Sequence, residues 1–390
     1  TSRQRVYKAF AHEEADRTPL FELFQTCHPI HWDVCGRNIA TDMEMQWDAL
    51  AEGVAWEELV EAQAQAKFKM AKYFGLDIVH ANANPGRDGL KRPEKIGKWH
   101  WRLDGIDYIY NDHTKLVVVE NPAAVAAADS EKVTEEDRRR QIENWDGSYK
   151  KIGEDRLYII RRVRELAAEE GIEWSYMAEG NAGTHVSSYP PFQLMWIVLE
   201  PELIEGWLAM KKAAAFHHVE ALAGAGCDIY AFGGDCSSDK GPMLSPQHYH
   251  DLILPTLQEH VAKIHECGAK AVYTADGNHW AIKDDFFYGT GCDGYKEVDF
   301  AAGMTMDRLV DEGIKDRVCI IGGMDARYTM CTKGVEDVKR ETKEVLDLGR
   351  KTPGGHILHL SHSVHEDVKT ANYIAMVNTY REYFGMEKLG

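Results

Sequence analysis

The second half of the chain contains four apolar runs, and each of them ends in a cluster of polar residues. The runs are CDIYAFGGDCSSD, AVYTADGNHW, VCIIGGMDAR and HILHLSHSVHED. Runs this rich in β-branched and aromatic residues are typical of strands buried on both faces, as parallel strands covered by helices are. The polar clusters are therefore predicted just beyond the C-terminal strand ends, which form the rim where catalytic groups collect in a (β/α)8 barrel.

Strand and helix patterns alternate along most of the chain. Two early strands are predicted at Leu20–Phe24 and in GLDIVHANANPG, and six more in EWSYMAEG, CDIYAFGG, AKAVYTADG, GYKEVDFAAG, RVCIIGGMD and GGHILHLSH. Repeated βα units with short loops favour a closed barrel or a doubly wound sheet. No GxGxxG motif follows the first strand, which disfavours a dinucleotide-binding sheet. The sequence thus predicts an α/β (β/α)8 TIM barrel, preceded by an N-terminal helix that Ser2 can cap.

The length of 390 residues allows either two average domains or one barrel with insertions. Because barrels reach this size as one unit, a single domain over residues 1–390 is predicted. Between residues 91 and 119, aromatic and polar residues alternate around Asp104-Gly105, which predicts a β-hairpin inserted after strand two. The hairpin either lies beside the barrel or forms a lid over its mouth.

The formal net charge of -18 opposes binding to phosphate backbones and anionic lipid, so nucleic acid and membranes are not expected partners. The absence of a long apolar stretch and the polar start TSRQRVYKAF predict a cytoplasmic protein. Eight cysteines without a CxxC pair predict reduced thiols. The sequence does not define the oligomeric state; a homodimer is one alternative, since such dimers are common.

Asp276 and His279 follow a strand that is predicted to be buried. Asp276-Gly277 is either a tight turn with a capping aspartate or a carboxylate that binds metal or substrate. His279 is three residues away and can reach the same point. Asp235 follows the previous strand, in a loop whose glycines permit close approach to a ligand.

His362 and His365 follow the last strand in LSHSVHED. A single histidine at a rim is often only a hydrogen-bonded structural group. Two histidines beside a pair of carboxylates favour metal ligation or proton transfer. Glu179 and Glu22 lie near the ends of two other predicted strands, and His185 lies on the loop after Glu179.

Arg327 follows the seventh strand together with Asp325. It can clamp a substrate carboxylate through two hydrogen bonds, or it can form a structural ion pair with Asp325. No GxSxG or Walker-A motif is present, so acyl-enzyme hydrolysis and nucleotide chemistry are disfavoured.

Several segments, taken in order, resemble the uroporphyrinogen decarboxylase superfamily, which includes corrinoid-dependent methyltransferases. They are RQRVYKAFAHEEADRTPLFE, GGDCSSDKGPMLSPQHYHDLILP, DFAAGMTMDRL, GGMDAR and GGHILHLSHSVHEDVKTANYIAMVNTYREYFG. The resemblance extends over most of the chain and implies a TIM barrel. True decarboxylases carry an arginine-rich segment, RQAGRY, after strand one, whereas FQTCHPIHWDVCGRN has only Arg37 here. Decarboxylation of a tetrapyrrole is therefore disfavoured.

The methyltransferase branch binds zinc through His-x-Cys after one strand and a Cys after the last strand. The corresponding positions here are Thr274-Ala275-Asp276 and His362. Because zinc also accepts oxygen and nitrogen ligands, the resemblance implies an altered zinc site of Asp276 and His362, with Glu179 or His279 nearby. The missing thiolates point away from a thiol methyl acceptor and towards an enzyme that takes methyl from an oxygen or nitrogen donor.

The resemblance thus implies transfer of a methyl group from a small donor, with an aryl methyl ether expected, to the cobalamin of a separate corrinoid protein. A separate carrier is expected because the sequence has no DxHxxG segment. The expected catalytic residues are Asp235, Asp276 and His279, and the expected substrate-binding residues are Arg327, Glu22 and His365. Two alternatives stay open: a metal-free decarboxylase-like lyase in which Asp276 anchors a ring nitrogen, and a non-catalytic barrel that binds a small ligand.

Overall fold

The computed structural model describes residues 1–25, 28–123, 134–181 and 192–390, so Cys27 and His185 lie outside the described residues. The strands are β1 (Ile78–His80), β2 (Glu94–Gly97), β3 (His100–Leu103), β4 (Ile106–Asn111), β5 (Leu116–Val119), β6 (Ser175–Asn181), β7 (Ile229–Gly233), β8 (Ser237–Ser238), β9 (Gly241–Pro242), β10 (Lys270–Thr274), β11 (Gly294–Lys296), β12 (Cys319–Met324) and β13 (His356–Leu360). The α-helices are α1 (Ser2–Phe10), α2 (Ile30–Cys35), α3 (Met43–Glu52), α4 (Trp56–Phe74), α5 (Glu135–Glu143), α6 (Tyr158–Glu169), α7 (Phe192–Leu199), α8 (Pro201–Ala225), α9 (Pro246–His248), α10 (Leu254–Glu266), α11 (Met306–Asp311), α12 (Thr329–Thr332), α13 (Val335–Gly349) and α14 (Thr370–Tyr383).

Seven parallel strands form one sheet in the order β1-β6-β7-β10-β11-β12-β13. Its two edge strands are joined through a short segment near the N-terminus. Leu20 forms a parallel bridge with Leu358 of β13, and Phe21 forms one with Ile78 of β1. The Phe21 amide donates a hydrogen bond to the Leu358 carbonyl at 3.0 Å, and the Asp77 amide donates to the Leu20 carbonyl at 2.8 Å. The result is the predicted α/β, TIM-barrel-like fold, with strand one reduced to isolated bridges.

The strand side chains divide between two apolar cores, because successive residues of a strand point to opposite faces. The inner core contains residues of six of the seven strands and of the Phe21 bridge: Phe21, Ile78, Met177, Ile229, Ala231, Val272, Cys319, Ile321 and Ile357. Val6, Ala9 and Phe10 of α1 belong to the same cluster. The outward-facing strand residues pack with the helices in a larger second cluster. Strands buried on both faces explain the continuous apolar runs of the sequence.

The insertion after β1 is a four-stranded antiparallel sheet in the order β2-β3-β4-β5, larger than the hairpin predicted for residues 91–119. Asp104 and Gly105 form its central turn with φ values of 51° and 80°, which suits a two-residue primed turn. The sheet packs on α3, where the Trp101 indole donates a hydrogen bond to Asp48 at 3.1 Å. Among the described residues, no helix is long and apolar enough to cross a membrane.

Candidate active site

A cleft of about 890 Å³ lies at the C-terminal ends of the parallel strands. Loops that follow five of the strands contribute to it. Its lining residues are Asp235, Ser237, Asp239, Asp276, Gly277, Asp299, Ala326, Arg327, Cys331, Thr332, Ser361, His362, His365, Glu366 and Asp367. Five of the residues predicted from the sequence as site residues therefore line one cleft, namely Asp235, Asp276, Arg327, His362 and His365.

Asp276 occupies a crowded, negatively charged part of this cleft. Its backbone amide donates a hydrogen bond to Asp235 Oδ1 at 3.2 Å. Gly277 allows the chain to pass close to Ser237, since its φ is +100° and a Cβ atom there would lie 2.6 Å from the Ser237 carbonyl oxygen. Burial, followed by the charges of Glu297, Asp235 and Asp299, raises the pKa of Asp276 to about 7. Near neutral pH this carboxyl group can therefore gain or lose a proton readily.

His362 faces Asp276 across the cleft, with Nε2 3.9 Å from Asp276 Oδ2. This separation is smaller than the sum of two zinc–ligand bonds of about 2.0–2.2 Å each, so one cation between the two atoms can contact both. The Ser363 amide donates to His362 Nδ1 at 2.8 Å, and Ser363 Oγ lies 2.9 Å from the same nitrogen. Because Nδ1 accepts the Ser363 amide, the neutral ring carries its proton on Nε2. A cation at Nε2 would require that proton to move to Nδ1 and the ring to turn away from the amide. The spacing of the two donor atoms, rather than the present tautomer, is what fits a zinc ion.

Glu179 does not join this pair. Among the described residues, the ligand atoms of Asp276, His362 and Glu179 do not all lie within 4.8 Å of one another. Glu179 Oε1 instead lies 2.9 Å from Lys296 Nζ, and Oε2 lies 3.4 Å from His80 Nε2. We therefore correct the predicted ligand set: the lysine neutralises Glu179, and two ligands of the set remain. Within the described part of the chain, one group of three side chains has all its ligand atoms within 4.8 Å of one another: His100, Asp107 and Glu120 of the inserted sheet. There Asp107 already accepts a hydrogen bond from Arg102.

Lys296 is a central residue of the rim that the sequence analysis missed. It is 2% exposed, and its Nζ lies 2.9 Å from both Glu179 and Glu297 carboxylate oxygens. Burial lowers the pKa of Lys296, but the two carboxylates outweigh burial and raise it, so the lysine is charged. The signal was a lysine in GYKEVDF, inside a strand predicted to be buried, because a buried lysine requires partners.

Glu297 has an unusual backbone conformation beside Lys296. Its φ of 78° lies in the left-handed region, which costs a non-glycine residue about 1–3 kcal/mol. The Tyr295 hydroxyl donates to the Glu297 carbonyl at 2.7 Å and helps to hold this conformation. Strained residues of this kind cluster at functional sites, and here the strain keeps a carboxylate close enough to raise the pKa of Asp276.

His279 is not in the cleft. Its Nε2 bonds the Ala275 carbonyl at 3.1 Å, its Nδ1 bonds Ser237 Oγ at 2.9 Å, and its ring stacks on Phe286. Burial lowers the pKa of His279 to about 4, so the ring stays neutral with both nitrogens engaged. We correct its predicted catalytic role to a structural one. The 3-10 turn that begins at Trp280 carries the imidazole into the core.

Glu22 is also outside the cleft. It is 2% exposed, and its Oε1 lies 2.9 Å from Nδ1 of the buried His359. It lines a separate, smaller cavity beside the barrel wall. The predicted contact of Glu22 with a substrate in the cleft therefore has to be corrected: the chain buries this carboxylate against His359 instead.

Arg327 and His365 line the cleft on the loops that follow β12 and β13. Asp325 accepts hydrogen bonds from the backbone amides of Arg327 and Tyr328, at 3.0 and 3.1 Å, rather than pairing with the guanidinium. Within the described ranges, no carboxylate lies within 4.0 Å of the Arg327 guanidinium nitrogens. Nε2 of His365 lies 3.8 Å from Cys331 Sγ, and its Nδ1 accepts the Asp367 amide. The Arg327 side chain is thus available to an anionic group of a ligand.

Comparisons with known proteins agree with this architecture. A family model described as uroporphyrinogen decarboxylase (URO-D) matches residues 174–383, more than half of the chain. A uroporphyrinogen decarboxylase of Psychromonas ingrahamii is 25% identical over 246 residues, which cover 58% of this chain and 64% of that protein, less than two thirds of its length. The structure of a methyltransferase from Methanosarcina mazei superimposes with a TM-score of 0.64 at 19% identity, covering 98% of this chain and 99% of the other. At this identity the likeness shows the fold.

The double ion pair of Lys296 leads to a stability prediction. We expect Lys296→Met to lower the free energy of unfolding by about 3–5 kcal/mol, because it leaves two buried carboxylates without their cation. Urea unfolding followed by circular dichroism measures this loss. The matched control is Lys283→Met, which removes a surface pair with Glu312 at 2.7 Å and is expected to cost about 0–1 kcal/mol. Equal losses in the two variants would contradict a stabilising role of Lys296.

The raised pKa of Asp276 leads to a prediction about pH. A carboxyl whose pKa is higher in the folded than in the unfolded state binds protons more tightly when folded, so its contribution to stability falls as pH rises towards 7. We expect Asp276→Asn to raise the melting temperature of metal-free protein more at pH 8 than at pH 4.5. Asp88→Asn, at an exposed aspartate outside the cleft, is the control. A melting-temperature difference for Asp276→Asn that does not change with pH would show that the cleft leaves this pKa unaltered.

Proposed function

The chain belongs to the uroporphyrinogen decarboxylase (URO-D) family, and from this premise we propose that it is an enzyme that transfers a methyl group from a small methylated donor to the cobalamin of a separate corrinoid protein. The observation that carries the proposal is the Asp276–His362 pair, whose oxygen and nitrogen donors lie 3.9 Å apart in a wide cleft. The methyltransferase of Methanosarcina mazei, which shares the fold over nearly the whole chain, supports it.

The charge of the cleft argues against the tetrapyrrole decarboxylase alternative. Among the described residues, six carboxyl groups line the cleft, from Asp235, Asp239, Asp276, Asp299, Glu366 and Asp367, and Arg327 is the one arginine. A substrate with many carboxylates would meet like charges at close range, which costs several kcal/mol in a partly buried site. A cation bound between Asp276 and His362 would instead be attracted by the same charges.

Asp276 and His362 would hold zinc, with Ser363 Oγ orienting the imidazole. When bound, zinc supplies Lewis acidity that neutralises charge on the departing oxygen or nitrogen. Asp235 bonds the Asp276 amide and lies on the adjacent loop, where its carboxyl can orient the leaving group or exchange a proton with it. Arg327 faces the same cleft and would bind a carboxylate at the far end of the donor. An aryl methyl ether with a ring carboxylate has an ether oxygen for the Asp276–His362 pair and a carboxylate for Arg327. A methoxybenzoate is therefore our proposed donor.

In this proposal the cobalamin is a co-substrate that a separate corrinoid protein carries. A cleft that opens at the strand ends gives such a partner access to the donor. The inserted sheet reaches this edge, since His113 in the β4–β5 turn lies 3.7 Å from Asp367, a lining residue. We propose that this turn contributes to the surface on which the corrinoid protein docks.

Methyl transfer provides the first functional test. With a panel of methoxybenzoates and reduced corrinoid protein, we expect the absorbance change of cobalamin methylation together with stoichiometric zinc by mass spectrometry. Asp276→Ala and His362→Ala should each lose zinc and at least about 100-fold in rate, because each removes a ligand. Asp88→Asn should retain both. Full activity of chelator-treated protein, or no methylation with any donor, would refute the proposal.

Arg327 provides a separate test of how the donor is bound. We expect Arg327→Met to raise KM for 4-methoxybenzoate by about 10- to 100-fold, the value of one charge-assisted contact, while KM for the uncharged 4-methoxyphenol changes little. Initial rates with the two donors measure this split. If both KM values rise equally, the guanidinium has a structural role and does not bind the carboxylate.

A further inference from the structure

A second cavity, of about 190 Å³, lies between α4 and β1 and shares no lining residue with the cleft. One face of α4 forms much of its wall, with residues at helical spacing: Gln63, Ala66, Lys67, Met70 and Ala71. A cavity of about 150 Å³ holds a benzene molecule, so this one has room for roughly six to eight non-hydrogen atoms. Its wall is apolar except for a few polar side chains, which is the usual composition of a small-molecule site.

Lys67 supplies a positive charge to this cavity. Its Nζ donates one hydrogen bond, to the His80 carbonyl at 3.2 Å. Within the described part of the chain, no carboxylate lies within 4.0 Å of that nitrogen. Lys296 differs in this respect, since two carboxylates neutralise it. Lys67 is half-buried, and burial lowers its pKa while the charge of Glu179 raises it. An anion in the cavity would therefore stabilise the protonated lysine.

Glu22 supplies an acceptor to the same cavity. Its Oε1 faces His359, but its Oε2 is buried and has no hydrogen-bond partner among the described residues. Buried polar atoms are nearly always hydrogen-bonded, so this oxygen requires a donor that the neighbouring side chains do not supply. Glu22 and Lys67 do not satisfy each other, because they form no ion pair within 4.0 Å. The cavity thus has a cation and a separate free acceptor.

We propose that this cavity binds a small zwitterion of about six to eight non-hydrogen atoms, with its carboxylate on Lys67 and its ammonium group on Glu22. The apolar part of the molecule would pack against Phe24 and Val79, which line the same space. The imidazoles of His31 and His80 also line it and contribute hydrogen bonds rather than charge, since burial lowers the pKa of both. The site is independent of methyl transfer, because none of its residues lies in the cleft.

Isothermal titration calorimetry on the full chain tests this site. The probes are 3-aminopropanoate and 4-aminobutanoate, with butanoate and butylamine as compounds that keep only one of the two charged ends. We expect 1:1 binding of at least one amino acid, and affinities at least about tenfold weaker for the one-ended compounds. Lys67→Met should weaken the amino acid at least about tenfold, whereas Lys69→Met, at an exposed lysine of the same helix, should leave it unchanged.

Two further variants locate the binding. Glu22→Gln keeps the shape of the side chain and should weaken binding of the amino acid while leaving the affinity for butanoate unchanged. If Lys67→Met does not fold, Glu22→Gln is used in its place. Asp276→Asn should have no effect, because it lies in the other cavity. No binding of either amino acid, equal affinity for butanoate, equal losses in Lys67→Met and Lys69→Met, or loss of binding in Asp276→Asn would each overturn the proposal.

Discussion

The closure of the parallel sheet through Leu20 and Phe21 is the constraint on which the cleft depends. Asp276 follows β10 and His362 follows β13, three strands apart in the sheet order. In a flat sheet these strands would be separated by three spacings, about 14 Å. The bridges of Leu20 to β13 and of Phe21 to β1 require the sheet to curl, and the two side chains then face each other at 3.9 Å. Two parts of the sequence that are distant from each other meet at one site because the two edges of the sheet are joined.

Charge balance determines what the joined rim can do. Lys296 neutralises Glu179 and Glu297. Without this lysine, the two carboxylates would lie close together with no cation between them. Lys296 does not neutralise Asp276 as well. Burial and three neighbouring carboxylates raise the pKa of Asp276 to about 7. A group of this kind is suited to bind a cation or exchange a proton, and it is less stable than a fully paired one. The strained φ of Glu297 is a second place where local stability is reduced close to this group.

The sequence predicted the parts of this site that follow from strand periodicity. An apolar run followed by a polar cluster placed Asp235, Asp276, Arg327, His362 and His365 at strand ends, and all five line the cleft. The errors arose where orientation depends on contacts that are distant in sequence. His279 lies only three residues after Asp276, yet its ring is held in the core by Ser237, which belongs to the loop after β7. Lys296 was missed because its second partner, Glu179, is distant in sequence and comes close only when β6 and β11 are in place.

The buried Lys296 and the half-buried Lys67 show how the same residue type can have opposite consequences in one fold. Lys296 lies between two carboxylates that the chain itself supplies, so its charge is satisfied and it holds the rim in a fixed geometry. Among the described residues, Lys67 has one hydrogen-bond partner, the His80 carbonyl, and a cavity lies beside it. An apolar residue that filled this space would remove both the void and a partly desolvated charge, and such replacements are often stabilising. A cation that persists beside an unfilled cavity and an unsatisfied carboxylate oxygen is therefore better explained by a bound molecule than by the stability of the fold.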